Sequence, residues 1–327
     1  MAALLEVKNL VTRFRSGKKF ITAADAVSFS LEERETLAIV GESGSGKSVT
    51  ALSLMRLIPN PPGRITGGEA FFEGQDLLKK TKAEMRAIRG NRISMIFQEP
   101  MTSLNPVFTV GYQIYEALHL HQAMGKKEAR EYSVEMLRQI GVPSAEERID
   151  NYPHQLSGGM RQRVMIAMAL CCNPKLLIAD EPTTALDVTI QAQILDLIRN
   201  LMTSRDMSMI LITHDLGIVA DMALKVLVMY CGQVMEYGNV KDIFRNPLHP
   251  YTRGLMGSIP SMDADPSKPL YAIPGAVPDL SKLPEGCVFA PRCDCCTGQC
   301  AQTRPEIKTL KNGRQIRCLL YKEGDNA

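Results

Sequence analysis

The sequence predicts an α/β fold with a helical insertion and a small, irregular, cysteine-rich tail. Three observations carry that expectation. Short apolar runs alternate with helical periodicities through most of the chain. A glycine-rich loop, Gly41 to Ser48, stands between an apolar run and a helical pattern. After about Pro260 proline and glycine become frequent, periodicity fades, and six of the nine cysteines gather between Cys287 and Cys318.

Each element has its own signal. Leu4–Phe14 is apolar-rich, and Ala26–Leu31 alternates through Val27, Phe29 and Leu31, which predicts strands. Thr36–Val40 is a short apolar strand ending at a glycine. A helical pattern runs from Lys47 to about Leu57 and is broken by Pro61, Pro62, Gly63, Gly67 and Gly68. Ile93–Phe97 reads as a strand. Residues of about 106 to 156 carry longer helical patterns, Gly111–His121 and Lys127–Ile140, with few strand signals. Gly158–Leu170 is a further helix, Leu176–Ala179 a buried strand, Ile190–Met202 a helix and Met209–Thr213 a strand. Val226–Tyr230 and Gln233–Tyr237 flank Cys231-Gly232 as a hairpin. The expected division is one large domain over 1–260 and an appendage over 261–327. There is no internal repeat.

Composition narrows the function classes. The 327 residues are 45% hydrophobic and 22% charged, enough for a sizeable core. Net charge is +3 from 38 basic and 35 acidic side chains, a near-balance that argues against nucleic acid as the main partner. No apolar run approaches the roughly 20 residues that cross a bilayer. The N-terminus, MAALLEVKNL, lacks the basic start and apolar stretch of a secretory signal. Any membrane role is therefore expected from the cytoplasmic face, peripherally, through a partner. Cysteines in a chain without a leader are expected to be reduced, metal-bound or buried. Cys171, Cys172 and Cys231 lie in apolar stretches and read as core residues.

Gly41-Glu42-Ser43-Gly44-Ser45-Gly46-Lys47-Ser48, followed by Val49, fits G-x-x-x-x-G-K-S in the strand-to-helix context that the motif requires. Its glycines let backbone N–H groups converge on phosphate oxygens, and the helix N-terminus adds positive potential. Lys47 can neutralise β and γ phosphates, and Ser48 can ligate Mg²⁺. A G-x-G-x-x-G dinucleotide loop is not spelled out. Leu176 to Ala179 runs into Asp180-Glu181, an apolar strand ending in two acids. Asp180 can hold Mg²⁺ at the strand's C-terminal end, and Glu181 can polarise an attacking water.

Leu156-Ser157-Gly158-Gly159-Met160, shortly upstream of that acid pair, is similar to the signature of ABC ATPases. The family usually has Gln where this chain has Met160. Gln98 resembles the family's Q-loop glutamine, which touches Mg²⁺ and water. Ala185-Leu186-Asp187 resembles the D-loop, and His214 the switch histidine that contacts the γ-phosphate. Phe14 matches the aromatic that stacks on adenine, with Phe20 as its rival. The resemblance covers roughly residues 4 to 260. It implies an ABC-type P-loop ATPase core with an antiparallel β subdomain, and hydrolysis of ATP with Mg²⁺. It also implies a head-to-tail pair of such domains, in which Ser157, Gly158 and Gly159 act on nucleotide held by the partner's loop.

Fused membrane spans and a second motor domain are absent from the sequence, which disfavours most exporters and the soluble regulatory ATPases. Gln98-Glu99-Pro100-Met101-Thr102-Ser103-Leu104-Asn105-Pro106, Met160 to Ala167, Ala179 to Thr189 and His249-Pro250-Tyr251-Thr252 closely resemble the dipeptide and oligopeptide importer ATPases. The pattern is most similar to their D-type subunits. That resemblance implies a related F-type ATPase as partner, two integral membrane permeases, and indirectly a peptide-binding protein. Nickel and glutathione importers share much of it. Gly286 to Cys293 resembles the C-terminal segment of the peptide importers, where four cysteines hold an iron–sulfur cluster. By position the implied ligands are Cys287, Cys293, Cys300 and Cys318, with Cys295 and Cys296 left over. Four thiolates suit a [4Fe–4S] cluster and equally suit tetrahedral Zn²⁺. Cys293 and Cys296 also make a C-x₂-C pair.

Overall fold

The computed structural model describes residues 3–98, 103–184, 187–259 and 271–326. Glu99 to Thr102, Ala185-Leu186 and the stretch 260–270 lie outside the described residues. In chain order the first elements are β1 Leu5–Ser16, β2 Lys19–Leu31, β3 Thr36–Val40, α1 Lys47–Leu54, β4 Gly63–Phe72, β5 Gln75–Asp76, α2 Lys82–Ile88 and β6 Ile93–Ile96. There follow α3 Val110–Gln122, α4 Lys126–Gln139, α5 Ala145–Arg148, α6 Gly158–Leu170, β7 Leu176–Asp180, α7 Val188–Ser204 and β8 Ser208–Ile212. The last are α8 Leu216–Met222, β9 Lys225–Tyr230, β10 Gln233–Asn239, α9 Val240–Arg245, α10 Pro250–Gly257, α11 Gly298–Gln302, β11 Lys308–Thr309 and β12 Gln315–Ile316. No helix among the described residues is long and apolar enough to cross a membrane.

The chain forms two compact units. The first is Met1–Glu32, Thr36–Lys79 and Ile212–Ala327; the second is Glu33–Glu35 and Lys80–Leu211. In the first unit, β2-β1-β4-β5 make an antiparallel sheet. Gly67-Gly68, which the sequence marks as breakers, lie inside β4. There the register with β1 shifts: Asn9 and Leu10 of β1 bulge opposite Gly68, which takes φ 91 against their backbone. A second ladder runs β11-β12-β10-β9-β3. Its β3 and β9 are parallel, with Leu37 opposite Lys225 and Val40 opposite Val228. All five residues of β3 are buried, which is why this stretch reads as an unbroken apolar run.

The tail belongs to this first unit. β12 pairs with β10 through Glu236↔Ile316 and Tyr237↔Gln315, and the Arg317 N–H continues the ladder to the Met235 carbonyl at 2.9 Å. Val288 and Phe289 pack into the same core as Val226, Val228, Tyr230 and Tyr251. In the second unit the strand order is β8-β7-β6, with β6 and β7 parallel from Ile93↔Leu176 to Ile96↔Ala179. The helical patterns between about 106 and 156 become α3, α4 and α5, and α3 and α4 pack on α6.

Candidate nucleotide site and cysteine cavity

The glycine loop lies wholly in the first unit. Gly41 has φ 150, and a Cβ there would stand 2.1 Å from the Met229 carbonyl oxygen. Gly46 has φ 98, and its Cβ would stand 2.3 Å from the Ala23 carbonyl oxygen. Both positions therefore require glycine. The loop is pinned from below, since the Gly232 N–H donates to the Ser45 carbonyl at 2.9 Å. Lys47, whose side chain is largely buried, folds back over the loop. Its Nζ donates to the Gly41 carbonyl at 2.7 Å and to the Glu42 carbonyl at 3.1 Å. Helix α1 starts at Lys47 with no side-chain cap on its N-terminus. Ser43 and Gly44 are exposed, and the space beside Gly44 is open. Ser45 Oγ is buried without a hydrogen-bond partner. A glycine cradle, an uncapped helix start and an orphan hydroxyl fit an anionic phosphate. Ser48 and Val49 are half-buried on the first turn of α1.

Two other predicted residues share this unit. Phe14 stands in β1 opposite Ile21 and Gly63, with its ring against Gly63, while Phe20 is 56% exposed. His214 is exposed on the turn between β8 and α8. Asp215 caps α8 by accepting from the Gly217 N–H at 2.8 Å and the Ile218 N–H at 3.2 Å.

The remaining nucleotide-site candidates sit in the second unit. Asp180 ends β7 and is 4% exposed. Glu181 follows at φ 47, a left-handed conformation for a residue with a Cβ. Its Oε2 accepts from Gln98 Nε2 at 3.1 Å and from Thr184 Oγ1 at 2.8 Å. Gln98 and Glu181 are thus brought together, and Thr184 is a further holder of Glu181 that motif reading misses; only its spacing after the acid pair hints at it. Buried Gln162 donates through Nε2 to the Pro182 carbonyl and steadies the same turn. Ser157 caps α6, accepting from the Met160 N–H at 3.4 Å, and Gly158 faces open space. Asp187 caps α7 by accepting from the Ile190 N–H at 2.9 Å.

The tail cysteines surround a space. Cys287, Cys293, Cys300 and Cys318 line one small cavity of about 20 Å³ with Cys295, His249 and Phe289. Cys296 is exposed. Burial pushes the thiols of Cys287 and Cys318 up, and that of Cys293 to about 12. Among the described residues no three His, Cys, Asp or Glu side chains are grouped closely enough to hold a single metal ion. What the four share is the lining of that cavity, and four thiolates are a donor set that an iron–sulfur cluster takes.

The chain is similar to known proteins. The ABC transporter family matches residues 24–184, and the family described as oligopeptide/dipeptide transporter, C-terminal region, matches residues 235–300. The oligopeptide transport ATP-binding protein AppD of Bacillus subtilis (strain 168) is 55% identical over 323 residues, covering 99% of this chain and 98% of AppD. Among solved structures, a dimeric post-hydrolysis state of the ATP-binding cassette MJ0796, bound to ADP and Pi, gives a TM-score of 0.65 at 28% identity. It covers 72% of this chain and 98% of that cassette. The cbiO1 protein of Clostridium perfringens, part of the cbiONQ transporter complex, gives 0.62 at 26% identity over 75% of this chain and 92% of its own.

Proposed function

This chain belongs to the ATP-binding proteins of ABC transporters that carry the oligopeptide/dipeptide C-terminal region, and from that premise we propose that it is the ATP-hydrolysing motor subunit of a peptide importer. The observation that carries the catalytic part is Glu181, fixed at the end of β7 by Gln98 and Thr184 in an uncommon backbone conformation.

The roles follow from chemistry. Backbone N–H groups from Gly41, Ser43, Gly44, Ser45, Gly46 and Val49 bind the phosphates, and Lys47 neutralises them. Phe14 stacks on the base. Ser48, Asp180 and Gln98 would hold Mg²⁺, which supplies charge neutralisation when bound. Glu181 accepts the proton of the attacking water. His214 stabilises charge on the γ-phosphate. Ser157, Gly158 and Gly159 reach nucleotide held by a second ATPase subunit, with Asp187 at that junction. A γ-phosphate held from both sides joins two subunits only until it is cleaved, so hydrolysis becomes release. Glu181→Gln is expected to keep ATP binding while turnover falls at least about a hundredfold. Near-normal turnover in that variant removes Glu181 as the base.

The chain works from the cytoplasmic face, with a related F-type ATPase, two permeases and, indirectly, a peptide-binding protein. A docking face is supported by the exposed apolar side chains Phe97, Val107, Phe108 and Tyr112, close in sequence to Gln98. Uptake of labelled dipeptide, Ni²⁺ and glutathione by cells with and without the chain separates the solutes; dipeptide uptake is the one expected to fall.

The tail holds a [4Fe–4S] cluster on Cys287, Cys293, Cys300 and Cys318, supported by the cavity those four share. Zn²⁺ is the alternative. Anaerobically purified protein is expected to show a broad visible absorption band and about four irons per chain. Serine at any of the four is expected to abolish the band, whereas serine at Cys296 leaves it. A colourless protein with about one zinc overturns the cluster in favour of a zinc module.

A further inference from the structure

One tail side chain reaches the glycine loop. Arg292, between Pro291 and Cys293, has a side chain only 4% exposed. Its Nη1 donates to Glu42 Oε2 at 2.6 Å and its Nη2 to Glu42 Oε1 at 3.0 Å, a two-bond fork on the carboxylate. The rest of the guanidinium is committed as well. Nε donates to the Pro274 carbonyl at 3.0 Å, Nη2 to the Ile273 carbonyl at 3.2 Å, and Nη1 to the Tyr230 hydroxyl at 3.3 Å. Arg292 is thereby fixed by two tail carbonyls and by Tyr230 of β9 as it grips Glu42.

Glu42 is the second residue of the loop, a position that the phosphate motif leaves open. Its backbone N–H donates to the Tyr251 hydroxyl at 2.8 Å. Its carbonyl accepts from Lys47 Nζ at 3.1 Å and from the Ser45 N–H at 3.2 Å. The residue whose carbonyl helps hold Lys47 is therefore held at its carboxylate by the tail. A carboxylate within a phosphate-binding loop opposes the incoming anion unless a cation neutralises it. Arg292 supplies that cation.

We propose that Arg292 is a positioning residue for the phosphate-binding loop, neutralising and fixing Glu42 so that nucleotide affinity depends on the folded cysteine tail. This rests on the reading of Gly41–Ser48 as the nucleotide phosphate site. The test uses the full chain as wild type, Arg292→Ala, Arg292→Lys, Glu42→Gln, and the Arg292→Ala/Glu42→Gln double variant. ATP affinity is measured without turnover, and hydrogen exchange is followed over residues 41–48. Arg292→Ala is expected to weaken ATP binding about tenfold and to speed loop exchange, with exchange in β6 and β7 unchanged. Glu42→Gln is expected to have a small effect and, in the double variant, to recover most of the affinity, because it removes the charge that required neutralising.

Unchanged affinity and loop exchange in Arg292→Ala overturn the proposal. So does a loss that Glu42→Gln does not relieve, since that would be general damage to the tail. Should Arg292→Ala not fold, Arg292→Lys decides: an intermediate loss relieved by Glu42→Gln supports the proposal, and no loss overturns it. If the wild type binds no ATP while loop exchange still responds to Arg292, the coupling stands and the phosphate-site reading falls. If the wild type binds ATP and neither readout responds, the reverse holds.

Discussion

Glu181 combines a reactive position with an unfavourable backbone. Its φ of 47 costs a residue with a Cβ about 1–2 kcal/mol, which the bonds from Gln98 and Thr184 help to offset. Glu181→Gly is therefore expected to abolish turnover while raising unfolding stability by about 1 kcal/mol in denaturant titrations, and a drop in stability would show that the conformation is not strained. Gly46→Ala should do the opposite, costing stability and ATP binding together, because its Cβ has no room beside the Ala23 carbonyl. At this scale the sequence is most legible where chemistry is local. Gly41 to Ser48 names itself, because its residue types are dictated by a phosphate. The Arg292–Glu42 pair joins positions 250 apart, and no local spacing announces it.

Elements were legible when their signals were long or punctuated. The hairpin of β9 and β10 follows from Cys231-Gly232, both at positive φ (46 and 80) as a tight turn demands. β4 is hidden, because Pro61 and Pro62 just before it and Gly63, Gly67 and Gly68 within it look like a loop, whereas Gly67-Gly68 lie where its ladder with β1 shifts register. β11 and β12, two residues each, are too short for any periodicity to register. What fixes β12 on β10 is a buried ion pair. The Glu236 carboxylate, fully buried, accepts from Arg314 and from the Leu248 and His249 N–H groups at 3.2 Å each. Arg314→Met leaves that carboxylate without its cation, and is expected to cost about 3–5 kcal/mol in equilibrium unfolding. Replacing both partners by apolar residues is expected to cost far less, and equal losses in the single and double variants would contradict this account.

At the scale of the molecule, the residues assigned to hydrolysis are divided between the two compact units. The loop and His214 belong to one; Gln98, Ser157, Asp180 and Glu181 belong to the other. Stability of the first unit should carry a pH signature from His249. Burial lowers it from an ordinary 6.5 to about 3, and its Nδ1 accepts the Tyr251 N–H at 3.0 Å, so the ring is neutral in the fold. Between those values the unfolded chain binds a proton that the folded chain does not, so stability falls as pH drops below 6.5 and levels off above it. His249→Asn, which keeps a capping acceptor, should flatten that part of the profile, and an identical profile in the variant would exclude His249 as its source. The proline-rich texture after about Pro260 makes the tail look separable, because texture records local order and not what a segment covers.

What the tail covers is the flank of β10. In the described ladder β12 occupies that side, with the Arg317 side chain donating to the Val234 carbonyl at 2.9 Å as a further tie. A chain ending at residue 259 would bare a row of unpaired N–H and C=O groups along Val234, Met235 and Tyr237, together with a carboxylate that has lost its cation. Such an edge is a template for strand addition. The shortened protein is therefore expected to self-associate in place of yielding a smaller working ATPase, and the tail then serves as a guard against aggregation whatever its cysteines hold.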